Sequence, residues 1–260
     1  MGDVRPGPRP GADLIYGRQA VRETLRAGRR KAGQLFLARG LQPHPLVDES
    51  LALARRAGAG IQTVEREQLD DWLHGANHQG LLLAAGPYPY ADVDAALALA
   101  RARDQDAFFL LLDRVQDPQN LGTLLRTAEA CGVHGVVLPR HRAAEVTPAV
   151  VNASAGAVEH LLVCQETNLV ATMGRLKAAG LWIAGLEAGP RSLPYTQPNL
   201  AGPLAVVVGS EGFGLGRLVA ETCDWLLRLP MIGRIDSLNA AVAGSILLYH
   251  ILGLRSHPAA

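Results

Sequence analysis

Several things are scarce in this sequence, and each scarcity excludes something. Only three cysteines occur in 260 residues, Cys131, Cys164 and Cys223, widely spaced and with no CxxC pair. An odd, scattered set argues against a disulfide framework, and a reducing compartment, the cytoplasm, fits it best. The eight histidines form no HExxH or other close ligand pair, so no structural metal is expected. No apolar run reaches the roughly 18–20 residues of a membrane span without a charge or a polar break. Met1 to Pro10 is rich in Pro, Gly and Arg and lacks the apolar core of a signal peptide. Net charge is only +1, so no global field demands a polyanionic partner, and any nucleic-acid surface must come from local clustering. Internal repeats and long low-complexity segments are missing as well.

What is present is α/β alternation. Hydrophobic residues make up 48% of the chain, enough for two domains or one large one to bury a good core. Residues 1–13 read as a disordered tail, and a helix opens at Tyr16. A strand is predicted from Gln34 to Ala38, a helix from Leu46 to Ala57, a strand from Ile61 to Val64 and a short helix from Arg66 to Leu73. After Asn77-His78-Gln79-Gly80, first of all a tight turn, comes a buried strand from Leu81 to Ala85. Residues 14–86 thus suffice for a small α/β domain. Gly86-Pro87-Tyr88-Pro89-Tyr90 cannot continue strand or helix and marks a boundary. Residues 87–105 are read as linker and connecting helix, the helix over Val93 to Arg103.

Residues 106–256 form a second domain. Strands are predicted at Phe108–Leu112, Gly135–Leu138, Leu161–Cys164, Leu181–Leu186, Leu204–Gly209 and Trp225–Leu229. Helices lie between them, including Pro148–Gly156 and Asn168–Ala179, and a long one follows, Leu238–Leu254. Near-continuous apolar strands alternating with helices imply a mostly parallel sheet covered on both faces.

Three loops of this domain carry chemistry, and each follows a strand, where open α/β sheets place ligands. The first is Asp113 through Ala128, containing Asn120 and Arg126. Arg126 is either a solvated residue paired with Asp117 or Glu129, or a contact to a phosphate or a transition state. The second is Gly209-Ser210-Glu211-Gly212-Phe213-Gly214-Leu215-Gly216. Its spacing fits neither a dinucleotide fingerprint nor a Walker loop. Its glycines signal close backbone approach, and Glu211 beside an apolar core needs a partner, for which Arg126 is attractive. The third is Arg228 through Asn239, which enters the long helix. Ser237 or Asn239 can cap that helix, but two arginines, Asp236 and two polar residues exceed what a cap needs. The helix from Ala240 to Leu252 is apolar on nearly every face, so it is either fully buried or an oligomer interface. In the first domain, Arg18, Arg22, Arg26, Arg29, Arg30 and Lys31 form a basic stripe: a solvated face or a phosphate-binding one.

Together, Asn120-Leu121-Gly122-Thr123-Leu124-Leu125-Arg126-Thr127-Ala128, Gly209-Ser210-Glu211-Gly212 and Met231 through Asn239 resemble the three motifs of the SpoU-type RNA 2′-O-ribose methyltransferases, in order and near the C-terminus. Tyr16-Gly17-Arg18 and Asn77-His78-Gln79-Gly80 resemble the small RNA-binding domain of the bacterial 23S rRNA guanosine-2′-O-methyltransferases, the RlmB-like branch. The resemblance covers about residues 14–255. It implies a C-terminal trefoil knot and S-adenosyl-L-methionine held by backbone groups at Gly209, Leu229 and Leu238, with Ile232 nearby.

The resemblance also assigns roles. Arg126 acts on the 2′-hydroxyl; a guanidinium barely deprotonates, which favours orientation and charge stabilisation and leaves the base unassigned. Asn120 and Asn239 are expected as hydrogen-bond positioners, Glu211 as the orienter of Arg126, and Ser237 as a positioner of substrate or loop. Arg18, Arg22, Arg29, Arg30 and Lys31 are expected on RNA phosphates. A homodimer through the C-terminal helix and 23S rRNA or the pre-ribosomal large subunit are the implied partners. Another rRNA nucleotide, a tRNA, or a non-catalytic RNA-binding role are the alternatives. Ala240-Ala241, Arg234 and Asp236 depart from the family pattern without removing a motif position.

Overall fold

The computed structural model describes residues 7–141, 143–235 and 237–256. The first part of the expected tail, residues 1–6, and Asp236 lie outside the described residues. The chain divides into two compact units, one holding the segment through Pro89 together with Val146–His160, the other Tyr90–Glu145 and the chain from Leu161 on.

The first unit contains β1 (Asp13–Tyr16), α1 (Arg18–Ala27), β2 (Ala32–Ala38), α2 (Pro45–Arg56), β3 (Gly60–Val64), α3 (Arg66–Trp72) and β4 (Leu81–Ala85). The sheet order is β1-β4-β2-β3, with β4 antiparallel to both neighbours and β2 parallel to β3. Every residue of β4 is buried, which is why its sequence is an unbroken apolar run. Phe36, Leu69 and Leu82 centre one core, with Trp72 edge-on to Phe36 at 5.0 Å. Tyr16 ends a strand rather than opening a helix. Gly17 follows at φ +85°, donating its N–H to the Leu81 carbonyl, and α1 starts one residue later. Order begins before residue 14: Ala12 packs on this core and the Asp13 carboxylate meets Arg30 at 2.6 Å.

The second unit contributes α4 (Val93–Ala102), β5 (Phe108–Asp113), α5 (Pro118–Ala130) and β6 (Gly135–Pro139). Next in the chain comes α6 (Pro148–Ala153), which packs with the first unit. The sequence pattern put this helix in the second domain. Contacts decide otherwise: Asn152 donates to the Tyr16 carbonyl at 3.1 Å, Tyr88 donates to the Val158 carbonyl at 3.0 Å, and fully buried Glu159 meets fully buried Arg30 at 2.9 Å.

The second unit resumes with β7 (Val163–Glu166), α7 (Leu169–Ala178), β8 (Trp182–Leu186), β9 (Leu193–Pro194), β10 (Leu204–Gly209), α8 (Arg217–Thr222), β11 (Trp225–Arg228) and α9 (Ala240–Ser256). Its seven strands run in the order β7-β6-β5-β10-β8-β11-β9, every neighbouring pair parallel. Strands β5 and β10 are buried at every residue. From β5 the chain builds outward through β6 and β7, while later strands fill the other side from β10. The order therefore reverses between β5 and β10, the kind of position beside which open α/β sheets place a ligand crevice.

Helix α9 closes over that half of the sheet. Gly244 lets it approach closely, since a Cβ there would stand 2.7 Å from Leu124 Cδ2 and 3.1 Å from Val208. Thr127 and Ser245 hydroxyls join α5 to α9 at 2.9 Å. At its far end Arg255 lies over the Phe108 ring and donates to the Asp106 carbonyl at 3.0 Å. Only one side of α9 is covered, by Ala241, Gly244, Leu247, Leu248 and Ile251, so it is not buried all round. Among the described residues no helix is long and apolar enough to cross a membrane, and no cluster of three His, Cys, Asp or Glu could hold a metal ion.

Candidate active site

The glycine-rich loop after β10 folds tightly on itself. Gly214 donates to the Ser210 carbonyl at 3.0 Å, and Gly212 and Gly214 have φ of +77° and +60°. A Cβ on Gly209 would lie 2.3 Å from the Gly214 carbonyl oxygen, so position 209 accepts no side chain without moving the loop. The loop's exit is held by Asp113, the buried last residue of β5, which accepts the Gly216 N–H at 2.6 Å. Asp113 is not among the residues expected at the site, yet the sequence carries a signal for it: a carboxylate ending an otherwise apolar strand, a group that burial forces to find a donor.

Asn239 is the hub of the site. Its Nδ2 donates to Asn120 Oδ1 at 2.9 Å and to Glu211 Oε1. Its Oδ1 accepts the N–H groups of Ala241 and Val242 at 2.9 and 3.1 Å, capping α9. The cap is therefore Asn239 and not Ser237. Asn120 is set in place by Asp117, whose Oδ2 accepts the Asn120 N–H at 3.0 Å at the start of α5.

Two expectations about Arg126 change. Glu211 is bound to Asn239, not to Arg126. Arg126 is exposed and has no hydrogen-bond or ion-pair partner among the described residues. Because α5 starts at Pro118, Arg126 is its ninth residue and lies beyond the first turn, where the helix dipole acts.

A cleft of about 680 Å³ opens at the carboxyl ends of β8, β10 and β11. Gly209, Glu211, Leu229, Ser237, Leu238 and Asn239 all line it, so the second and third loops meet on one cavity. Ile232 does not line it and is wholly exposed; its neighbour Met231 takes that place. Apolar walls, glycine backbone and a few polar groups suit an adenine nucleoside with a polar tail. Glu187, also on the wall, has a buried Oε2 without a hydrogen-bond partner among the described residues, a second mark of a site shaped for a polar ligand.

The basic stripe is largely spent inside its own unit. Arg30 has no exposed side-chain surface and is paired with Asp13 and Glu159, so the expectation that it contacts RNA does not hold. Burial pushes the Glu159 carboxyl upward while Arg30 pulls it down. Arg22 and Arg26 share Glu23 and Glu49. Arg29 donates to the Tyr88 hydroxyl and the Pro89 carbonyl. Arg18 donates to the Gln79 carbonyl at 3.3 Å, which brings the Tyr16–Arg18 and Asn77–Gly80 stretches together. Lys31 is exposed, and its side chain has no partner among the described residues. His78 is a satisfied turn histidine: buried, accepting the Gly80 N–H at 2.9 Å and bonded to Asp70 at 3.1 Å.

Two family profiles match the chain, one over each of its main parts; the one over the second part spans residues 146–160 as well, although these pack with the first unit. Residues 107–249 match the SpoU rRNA Methylase family, and residues 14–91 match RNA 2′-O ribose methyltransferase substrate binding. The chain belongs to the SpoU rRNA methylase family. A Bacillus subtilis (strain 168) protein, YacO, named for the TrmH family of tRNA/rRNA methyltransferases, is 41% identical over 244 residues, 94% of this chain and 96% of the relative. An AdoMet-bound rRNA methyltransferase from Sinorhizobium meliloti superposes with a TM-score of 0.75 at 25% identity, covering 96% of this chain and 89% of that one. The SpoU methyltransferase AviRb from Streptomyces viridochromogenes, solved with AdoMet, gives 0.76 at 23% identity, with 95% and 91% covered, and shows the shared fold. In this SpoU chain the hydrogen bonds of Asn239 thus tie together all three loops that suggested the family.

Proposed function

We propose that this SpoU-family RNA methyltransferase uses S-adenosyl-L-methionine to methylate a ribose 2′-oxygen, the target being a guanosine in 23S rRNA. One observation carries the reading: Asn239 links Asn120 and Glu211 at the rim of a cleft floored by Gly209. The AdoMet bound to the Sinorhizobium meliloti enzyme supports the cofactor, and that enzyme's rRNA designation supports the target class. The enzyme works in the cytoplasm on 23S rRNA or the pre-ribosomal large subunit.

Bound S-adenosyl-L-methionine would supply a methyl group already activated on a sulfonium. The protein's task is to align, to take up a proton and to stabilise the oxyanion that forms. Gly209, Leu229 and Leu238 hold the nucleoside part through backbone and apolar contact. Arg126 is exposed and has no side-chain partner among the described residues, which suits it to the RNA; it orients the 2′-hydroxyl and stabilises its developing charge. Asn120, Glu211 and Asn239 fix one another and keep the loops in register, and Ser237 positions the substrate side of the cleft.

RNA engagement falls first to Lys31, which lines a cleft of about 420 Å³ in the first unit together with Arg26 and Arg56. Arg18 adds to it at the start of α1, whereas Arg22 and Arg29 are held by protein partners. A homodimer through α9 is supported by Val242, Ile246 and Tyr249, spaced on one helix face and 41–56% exposed. Insertion of β11 between β8 and β9 supports the trefoil knot that the family resemblance implies. Calorimetric titration with S-adenosyl-L-methionine, followed by mapping of ribose methylation in rRNA from a deletion strain, tests the proposal. One unmethylated 23S guanosine is expected. A lost tRNA methyl group or a methylated adenosine would move the target, and absence of cofactor binding would leave a non-catalytic RNA-binding protein.

A further inference from the structure

Glu187 follows β8 directly, and its backbone is fully engaged. Its N–H donates to the Leu227 carbonyl at 2.9 Å, and its own carbonyl accepts the buried Ser192 hydroxyl at 2.7 Å. The carboxylate stands on the wall of the cleft beside the glycine-rich loop; Oε1 is 3.9 Å from where a Cβ on Gly214 would sit. Oε2 is buried and has no hydrogen-bond partner among the described residues. The other cleft carboxylate, Glu211, is already satisfied by Asn239. A buried carboxylate oxygen without a donor is costly, and proteins keep such a group where a ligand completes it.

We infer that Glu187 is a cofactor-binding residue that accepts hydrogen bonds from the ribose hydroxyls of S-adenosyl-L-methionine. The inference rests on the cofactor assigned above. Two carboxylate oxygens match a vicinal diol in number and spacing. A carboxylate beyond the end of a parallel strand is also the general means by which α/β nucleotide folds hold a ribose. The apolar lining, Leu229, Met231 and Leu238, follows β11 and suits the adenine, while Glu187 offers the polar edge at the end of β8.

The test is calorimetry and thermal melting of the full chain with S-adenosyl-L-methionine and with 5′-methylthioadenosine, which keeps the ribose but lacks the amino-acid end. Glu187→Ala weakens both ligands by about 10- to 100-fold, as loss of a hydrogen bond to a charged group requires. Glu187→Gln, which keeps the shape, weakens both less, and its melting temperature without ligand is equal to or above that of the wild type. If Glu187→Ala does not fold, the Gln variant carries the comparison. Unchanged affinity for both ligands overturns the inference. So does a loss confined to S-adenosyl-L-methionine, which would place the carboxylate on the amino-acid end. A wild-type chain that binds neither ligand fails at the cofactor assignment itself, and that failure shows before any variant is made.

Discussion

Asn239 donates a hydrogen bond to Asn120 across 119 residues of chain, at 2.9 Å, while its carbonyl oxygen caps α9. One side chain thus fixes the start of the last helix and ties it to the start of α5. The two jobs separate by substitution. Asn239→Ser keeps a capping oxygen and loses the Nδ2 donor, so stability changes by only a few tenths of a kcal/mol while turnover falls. Asn239→Ala loses the cap as well and costs about 1 kcal/mol. Urea unfolding beside methyl-transfer rates measures both; equal turnover in Asn239→Ser and wild type would remove the bridge from catalysis.

Arg126 is exposed and unpaired by the described residues, so nothing in the fold depends on it. Arg126→Ala should leave stability within about 0.5 kcal/mol of the wild type. Turnover should drop by about 100- to 1,000-fold, the usual loss for one donor to an oxyanion. Cofactor affinity should persist. Near-normal turnover would take Arg126 out of the mechanism.

Arg30 and Glu159 are both fully buried, and each is the other's charge partner. Glu159→Ala leaves the buried Arg30 guanidinium with Asp13 as its remaining charge partner and should cost about 1–3 kcal/mol, the loss of buried hydrogen bonds with part of the charge still compensated. Lys31→Glu, at an exposed site, should leave folding intact and reduce the salt dependence of RNA binding. An RNA-binding defect from Arg30→Met without loss of stability would contradict the buried role.

His134 is buried and accepts the Phe108 N–H on Nδ1 at 3.1 Å, an arrangement open only to the neutral ring. Burial first, and the charges of Arg103 and Arg255 next, hold its pKa below the ordinary 6.5. In the window below 6.5 the unfolded chain binds a proton that the folded chain refuses. This contribution to stability is therefore complete above that pH and shrinks as pH falls toward the lowered folded value. Unfolding free energies measured down to about pH 5 should show the decline, and His134→Asn, whose amide oxygen takes the place of Nδ1, should reduce it. An identical pH slope in the variant would exclude His134 as its source.

Much of this protein was legible in order along the chain. Strands such as β5 and β10 are buried at every residue, so their unbroken apolar runs showed them as central strands of a parallel sheet. Pro118, Gly209 and the Asn239 region signalled loops at strand ends because backbone geometry restricts which residues stand there. Two short strands were not legible. β9 has only two residues, too few for a period to appear, and β1 has only a short apolar run to mark it; both exist through hydrogen bonds to neighbouring chain.

Partner choice belonged to the tertiary structure alone. Period and composition show that a charged or polar group must be satisfied, not by which group. Glu211 found Asn239 instead of Arg126, Arg30 turned inward to Glu159 instead of outward to RNA, and residues 146–160 packed with the first unit. The physical reason is the same in each case. Hydrogen bonds and ion pairs act over about 3–4 Å. Such distances between residues far apart in the chain arise only when the sheets and helices pack.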